Sequence, residues 1–395
     1  VNSERVILYL LAFAQFIHIV DFMILMPLGD VLMIEFDINP MQFSGLVASY
    51  SLSAGVASFL AATFLDRYDR RKAILLTLVL FAVGTLLCSV SQTYEMLLFS
   101  RIWTGTFGGL IGGIVIAILS DLIPFERRGA AMGIISMAFA FASVLGVPLS
   151  LLFADYFGWQ APFRFIFVIT LPGIYGFWKI LPPMVGHLEA GKRFQPIKEL
   201  KNLVADANSR RALMLAYFMV LGHFLVIPFI TPYLTRNIGV LQTDIKFIYL
   251  IGGAATLITA PLIGKWSDRV GHFKMYSVVL LLSLIPIVLI THVQQASMLG
   301  VYLITVMFFM FASGRMIPAQ TMMTGAVAAK NRGGFMSLRS ALLEFGGGTA
   351  TLIGGWIITE APNGNIMNYQ TVGILSVVIG LSTILIAKGI TMKDA

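Results

Sequence analysis

The sequence predicts an all-α membrane protein, with twelve transmembrane helices in two pseudo-symmetric six-helix bundles. Three observations carry this reading. The 395 residues are 58% hydrophobic and 12% charged, with a mean hydropathy of +0.87, far from the balance of a soluble domain. Twelve apolar runs approach the ~20 residues that cross a hydrocarbon core. A charged hinge, Asp66-Arg67 followed by Arg70, Arg71 and Lys72, returns at a shift of 202 as Asp268-Arg269.

In chain order the runs cover about residues 6–28, 42–65, 73–91, 96–120, 130–153, 162–181, 212–234, 246–266, 275–292, 297–325, 334–358 and 369–387. Each is continuous and not a ~10-residue alternating strand, so helices, not a closed barrel, satisfy the backbone in lipid. The first run follows Val1-Asn2-Ser3-Glu4-Arg5 with no small-residue cleavage site behind it, which predicts a retained helix. Cys88, the single cysteine, lies inside a run and allows no intramolecular disulfide.

Residues 182–211, from Pro182-Pro183 to Arg210-Arg211, form the one long polar connection. They separate an N-terminal bundle (1–181) from a C-terminal bundle (212–395) and read as a cytoplasmic linker. Within them Pro196 opens Ile197-Lys198-Glu199-Leu200-Lys201-Asn202-Leu203-Val204, basic on one side and apolar on the other at helical spacing. This predicts a short helix on the cytoplasmic membrane surface, where basic residues meet anionic lipid.

The net charge of +8 would suit nucleic acid, but the distribution of the charges argues for a bilayer instead. Most of the 27 Lys and Arg fall at Arg5, Arg67–Lys72, Arg127/Arg128, Lys179–Arg211, Lys265/Arg269/Lys274, Lys330/Arg332 and Lys388/Lys393. Arg164, Arg236 and Lys246 lie on the opposite side, so the positive-inside rule places both termini in the cytoplasm. The halves also compare with each other. The shift of 202 superimposes Asp21-Phe22 on His223-Phe224, and a shift of 204 superimposes Arg128-Gly129 on Arg332-Gly333. Equivalents six spans apart share one orientation, as in parallel repeats about an axis along the membrane normal.

The first hinge, Ala62-Thr63-Phe64-Leu65-Asp66-Arg67-Tyr68-Asp69-Arg70-Arg71-Lys72, resembles the loop 2–3 signature G-x-L-x-D-R-x-G-R-[RK] of the major facilitator superfamily. The second, from Gly264 to Lys274, keeps both glycines. Arg101-Ile102-Trp103-Thr104-Gly105 resembles the R-x-x-x-G pattern of that family's fourth span, and Glu126-Arg127-Arg128-Gly129 its loop 4–5. Size and layout are most similar to the twelve-span proton-driven efflux branch. The first hinge departs from the pattern at Ala62 and Asp69. The fifth-span antiporter signature is echoed only by Gly146-Val147-Pro148, with Leu151-Leu152 where its glycine pair stands.

Ionisable groups at mid-span cost about 2.5–3.5 kcal/mol each and face a cavity or a partner. Gln15, His18 and Asp21 share one face of the first span. Asp21 and Arg101 lie about 10 and 8 Å below the external ends of their spans, a depth that permits contact. Asp21 is then a proton carrier whose release from Arg101 is the switch, or half of a static ion pair. His223, its counterpart in the second half, and His18 are either proton carriers or neutral hydrogen-bond partners. Arg315 and Glu344 lie at similar depth in the C-terminal half, with Arg339 about one and a half turns before Glu344 on another part of the helix face; the three charges are either a site where Arg315 or Arg339 binds an anionic substrate, with Glu344 as a second proton carrier, or a helix-stapling network.

The resemblance implies a cytoplasmic gate. Asp66 is expected against the N-terminus of the eleventh span, Arg70 and Arg67 beside Asp121, and Asp268-Arg269 at the matching place in the second half. Taken together, these features predict a proton-coupled transporter of small molecules, monomeric, in the cytoplasmic (inner) membrane, with export favoured over uptake symport. No nucleotide-binding Gly-rich loop, HExxH pair or Ser/His/Asp grouping occurs, so neither catalytic residues nor a metal or cofactor is expected. A non-transporting receptor or membrane enzyme is the alternative outside the class.

Overall fold

Apolar runs in lipid can satisfy their amides only within the same segment, and the chain does so in long helices. The computed structural model describes residues 2–64, 68–185, 196–328 and 332–393. Among them eleven helices are long and apolar enough to cross a membrane. The remaining predicted span is also a helix, Arg332–Ile357 of 26 residues, but Arg339, Glu344 and the glycines at 346–348, 354 and 355 make it less apolar. The Asp66-Arg67 hinge lies outside the described residues.

The chain forms two compact units, residues 1–25 with 49–196, and residues 26–48 with 197–395. The first contains span 1 (Asn2–Ile24), most of span 2 (Pro40–Phe64), span 3 (Arg70–Val90), span 4 (Tyr94–Leu122), span 5 and span 6 (Ala161–Ile180). Span 5 is two helices, Phe125–Phe141 and Val147–Phe157, joined by a π-turn at Ala142–Gly146. Pro148, which has no N–H to give the preceding turn, follows the π-turn directly.

Asp69 explains the glycine missing from the first hinge. Its φ is −57° and its carboxylate accepts from the Arg71 N–H at 3.0 Å, capping span 3. It also accepts from the Met184 N–H at 2.9 Å. The equivalent Gly271 has φ +93°, a conformation open to glycine and strained for other residues. The two hinges thus reach the same helix start by different means.

The second unit holds residues 26–48, with the short helix Gly29–Glu35, and the start of span 2, where Asn39 and Gln42 cap each other's backbone N–H at 2.9 and 3.0 Å. It continues through the linker helix Pro196–Ala205, span 7 (Ala207–Phe224 and Ile227–Tyr233), span 8 (Ile245–Val270), span 9 (His272–His292), span 10, span 11 (Arg332–Ile357) and span 12 (Tyr369–Lys388). Span 10 breaks at Arg315 into Met298–Gly314 and Met316–Gly325. Pro228 and Pro318 each stand in the first turn after a break. Leu203 of the linker helix is buried with Leu213, Met219, Tyr276 and Phe335, which fixes that helix to the unit.

An antiparallel pair, Thr359–Glu360 with Ile366–Met367, connects spans 11 and 12. Asn237 holds it by exchanging two hydrogen bonds of 2.9 Å with the Ile366 backbone. Arg236 joins Glu360 at 3.1 Å and also pairs with Asp30. Gln242 donates to the Pro27 carbonyl at 2.8 Å, and Phe43 meets Phe229 edge-on at 6.0 Å. These contacts are why residues 26–48 pack with spans that follow them in the chain.

Candidate functional site

In the first unit, glycines determine what surrounds the buried charges. A Cβ at Gly105 would lie 2.4 Å from the Tyr50 carbonyl oxygen, and one at Gly109 would lie 2.5 Å from that of Ala54. Spans 2 and 4 therefore pack backbone to backbone. This puts the Tyr50 ring beneath Arg101, whose guanidinium carbon is 4.5 Å from the ring centroid, within cation–π range. Gly146 lets span 5 approach span 1, since a Cβ there would meet the Val20 side chain at 2.2 Å.

Arg101 Nη1 donates to Asp21 Oδ2 at 2.8 Å, and both side chains are 0% exposed. The pair is satisfied on one edge only. Asp21 Oδ1 and Arg101 Nε and Nη2 are buried without a hydrogen-bond partner among the described residues. Desolvating two ions costs several kcal/mol each, which their attraction offsets only when the remaining lone pairs and protons are used. The contact is thus one that a proton on Asp21 could release. His18 and Gln15 share the span 1 face, and His18 Nδ1 and Gln15 Oε1 have no partner. The Tyr50 hydroxyl donates to the His18 carbonyl at 3.4 Å.

At the predicted cytoplasmic end, Arg70 Nε lies 3.2 Å from Asp121 Oδ2, and Arg71 donates to the Trp178 carbonyl. Asp268 and Arg269 are exposed in the last turn of span 8, and neither is in an ion pair among the described residues.

In the second unit the three charges of spans 10 and 11 are not joined in an ion pair. Arg315, 2% exposed, donates through Nη1 to Ser283 Oγ at 3.2 Å. Arg339, 6% exposed, donates through Nη2 to Gln320 Oε1 at 3.4 Å. Glu344 is half-buried. His223 stacks on Phe308 with ring centroids 5.3 Å apart and planes 12° apart, and it lies within electrostatic reach of Arg315. Among the described residues no group of His, Cys, Asp and Glu is arranged to hold a metal ion.

Tyr50, Ser283 and Phe308 did not stand out in the sequence, since one aromatic or hydroxyl in an apolar run looks like any other.

A helical membrane protein of two repeats, with ionisable side chains buried in the spans of each, is built as a secondary transporter. The sequence model of the Major Facilitator Superfamily matches residues 11–224 and again residues 212–393, and the chain belongs to that family. It is 25% identical over 364 residues to multidrug resistance protein 2 of Bacillus subtilis (strain 168), covering 90% of this chain and 89% of the relative. It is 24% identical over 355 residues to the uncharacterized MFS-type transporter YbcL of the same organism, covering 88% and 85%. Among solved structures, a point mutant of the nucleoside transporter NupG superimposes with a TM-score of 0.75 at 12% identity, covering 97% and 99% of the two chains. An inward-facing, unoccupied bacterial homolog of the human lysosomal transporter Spinster gives 0.73 at 16%, covering 98% and 97%. At these identities the structural likeness concerns the fold.

Proposed function

We propose that this protein is a proton-coupled exporter of small molecules that works by alternating access in the cytoplasmic membrane, both termini facing the cytoplasm. The observation that carries the coupling is the fully buried, half-satisfied Asp21–Arg101 pair. With the pair intact, Asp21 is an anion held by Arg101. Protonation removes the attraction, frees Arg101 and lowers the cost of moving span 1 against span 4. Arg70–Asp121 belongs to the cytoplasmic gate, with Asp66 by family resemblance. Export is favoured by the likeness to multidrug resistance protein 2 over nine-tenths of the chain. Uptake symport is the second reading, because Leu151-Leu152 replace the glycine pair of the antiporter signature.

The test uses purified protein in proteoliposomes with an imposed pH gradient and a pH-sensitive dye inside. Substrate addition should move protons in wild type and not in Asp21→Asn, which should still bind substrate. Gradient-driven transport undiminished in Asp21→Asn removes Asp21 from the mechanism. An inward gradient that fills the vesicles with substrate, and does not drain them, decides for symport.

A further inference from the structure

We infer that the substrate is an amphipathic organic monoanion, its carboxylate held by Arg315 and its apolar body lying against the His223–Phe308 stack. The inference rests on the transporter reading and goes beyond it in naming a substrate class and the residue that selects it.

The argument begins with the difference between the repeats. Asp21 in the first half answers to His223 in the second at the shift of 202. Asp21 pairs with the buried Arg101, and His223 stacks on Phe308, seven residues before the buried Arg315. The first arginine has its carboxylate. The second has a neutral hydroxyl, Ser283, and its charge has no counter-ion among the described residues. A buried cation without one is costly in a membrane span, and such residues mark substrate pathways.

Covalent geometry then says what would satisfy it. Ser283 takes Nη1, while Nε and Nη2 are buried and unpartnered. In a planar guanidinium the Nε and Nη2 hydrogens lie on one edge and point the same way, the fork that receives both oxygens of a carboxylate. Ser283 fixes the far edge, so the fork is presented ready oriented. Arg339 offers less, because Gln320 already uses its Nη2. Formal charge agrees: Arg315, Arg339 and Glu344 sum to one positive charge, which one carboxylate cancels. The flat, closely stacked His223 and Phe308 rings, about two helical turns from Arg315 along span 10, supply the apolar surface, and Arg315 itself stands where span 10 breaks.

The test is equilibrium binding to the full chain in phosphatidylcholine nanodiscs, with no gradient, using radiolabelled 2-naphthoate as the probe. Saturable binding displaced by benzoate, but not by benzamide or benzylammonium, is expected. Arg315→Gln should weaken it about thirtyfold or more, while Asp21→Asn leaves it in place. Competition among the three phenyl-bearing compounds needs no variant, so the inference is exposed to failure even if Arg315→Gln does not fold. Equal displacement by benzamide overturns it, as does unchanged binding in a folded Arg315→Gln protein or no saturable binding at all. Loss of naphthoate binding when phosphatidylglycerol is added would assign Arg315 to a lipid headgroup and also overturn it. Because the assay does not depend on coupling, intact transport in Asp21→Asn would refute the proton role and leave this inference standing. Absent anion binding beside normal coupling would do the reverse.

Discussion

Replacing Asp21 and Arg101 singly and together separates a proton switch from a helix staple. At 2.8 Å and an effective dielectric of 20, the attraction amounts to about 6 kcal/mol. Most of that is offset by desolvation of two fully buried ions, which costs several kcal/mol each. Asp21→Leu leaves Arg101 buried without its carboxylate and should destabilise the folded protein by about 3–5 kcal/mol, and Arg101→Met should cost about the same. The double variant has no charge to strand and should return to within about 1–2 kcal/mol of wild type. Thermal unfolding in detergent, followed by intrinsic tryptophan fluorescence, measures all four proteins. Vesicle transport then decides the role. A stable double variant without gradient-driven transport is the expected result. If the double variant still couples transport to the gradient, the pair is a staple and the reasoning fails. Strict additivity of the two single losses would refute the interaction itself.

Three further outcomes are expected. Gly105→Ala places a Cβ 2.4 Å from both the Tyr50 carbonyl oxygen and Ser53 Oγ, so thermal unfolding should show a loss of about 1–3 kcal/mol. The two hinges should respond unequally. Asp69→Gly removes a cap and a further hydrogen bond from the Met184 N–H and should cost about 1 kcal/mol, whereas Gly271→Asp at φ +93° costs about 1–3 kcal/mol; a larger loss for Asp69→Gly would contradict the different backbones. Asp206 caps span 7 through the Ser209 N–H and hydroxyl at 2.9 and 2.7 Å. Those bonds, with Lys393 nearby, hold its carboxyl below the usual carboxylate range. A lowered folded-state value gives stability that is present above the unfolded value near 3.9 and is lost as pH falls through the folded one. Amide exchange at Ser209 should therefore be flat from pH 7 to about 5 after correction for intrinsic rates, rise below about 4, and lose that step in Asp206→Asn.

Much of the fold was legible because the bilayer leaves the chain few choices. Length of apolar run, charge asymmetry and the repeated hinge each report a constraint that acts locally or on the chain as a whole. The short linker helix at 196–205 was readable for the same reason. The candidate residues were found by rarity, since ionisable side chains within spans stand out. Their partners did not stand out. Equal depth made an Asp21–Arg101 contact possible, and the similar depth of Arg315 and Glu344, with Arg339 near in the chain, suggested a cluster that the structure does not join by ion pairs. Depth is one coordinate of three; rotation about each helix axis decides the rest, and small residues on neighbouring helices set that rotation through packing.

The sequence by itself determined that this protein is a doubled helical membrane carrier, because hydropathy, charge sidedness and periodicity follow from what lipid and water each accept. Only the tertiary structure decided that Asp69 replaces a glycine as a cap, that residues 26–48 pack with later spans, and that Arg101 has a carboxylate while Arg315 has a serine and an open fork. Those outcomes depend on which side chains from distant parts of the chain arrive at one place, and close packing, being non-local, is written in no single stretch of residues.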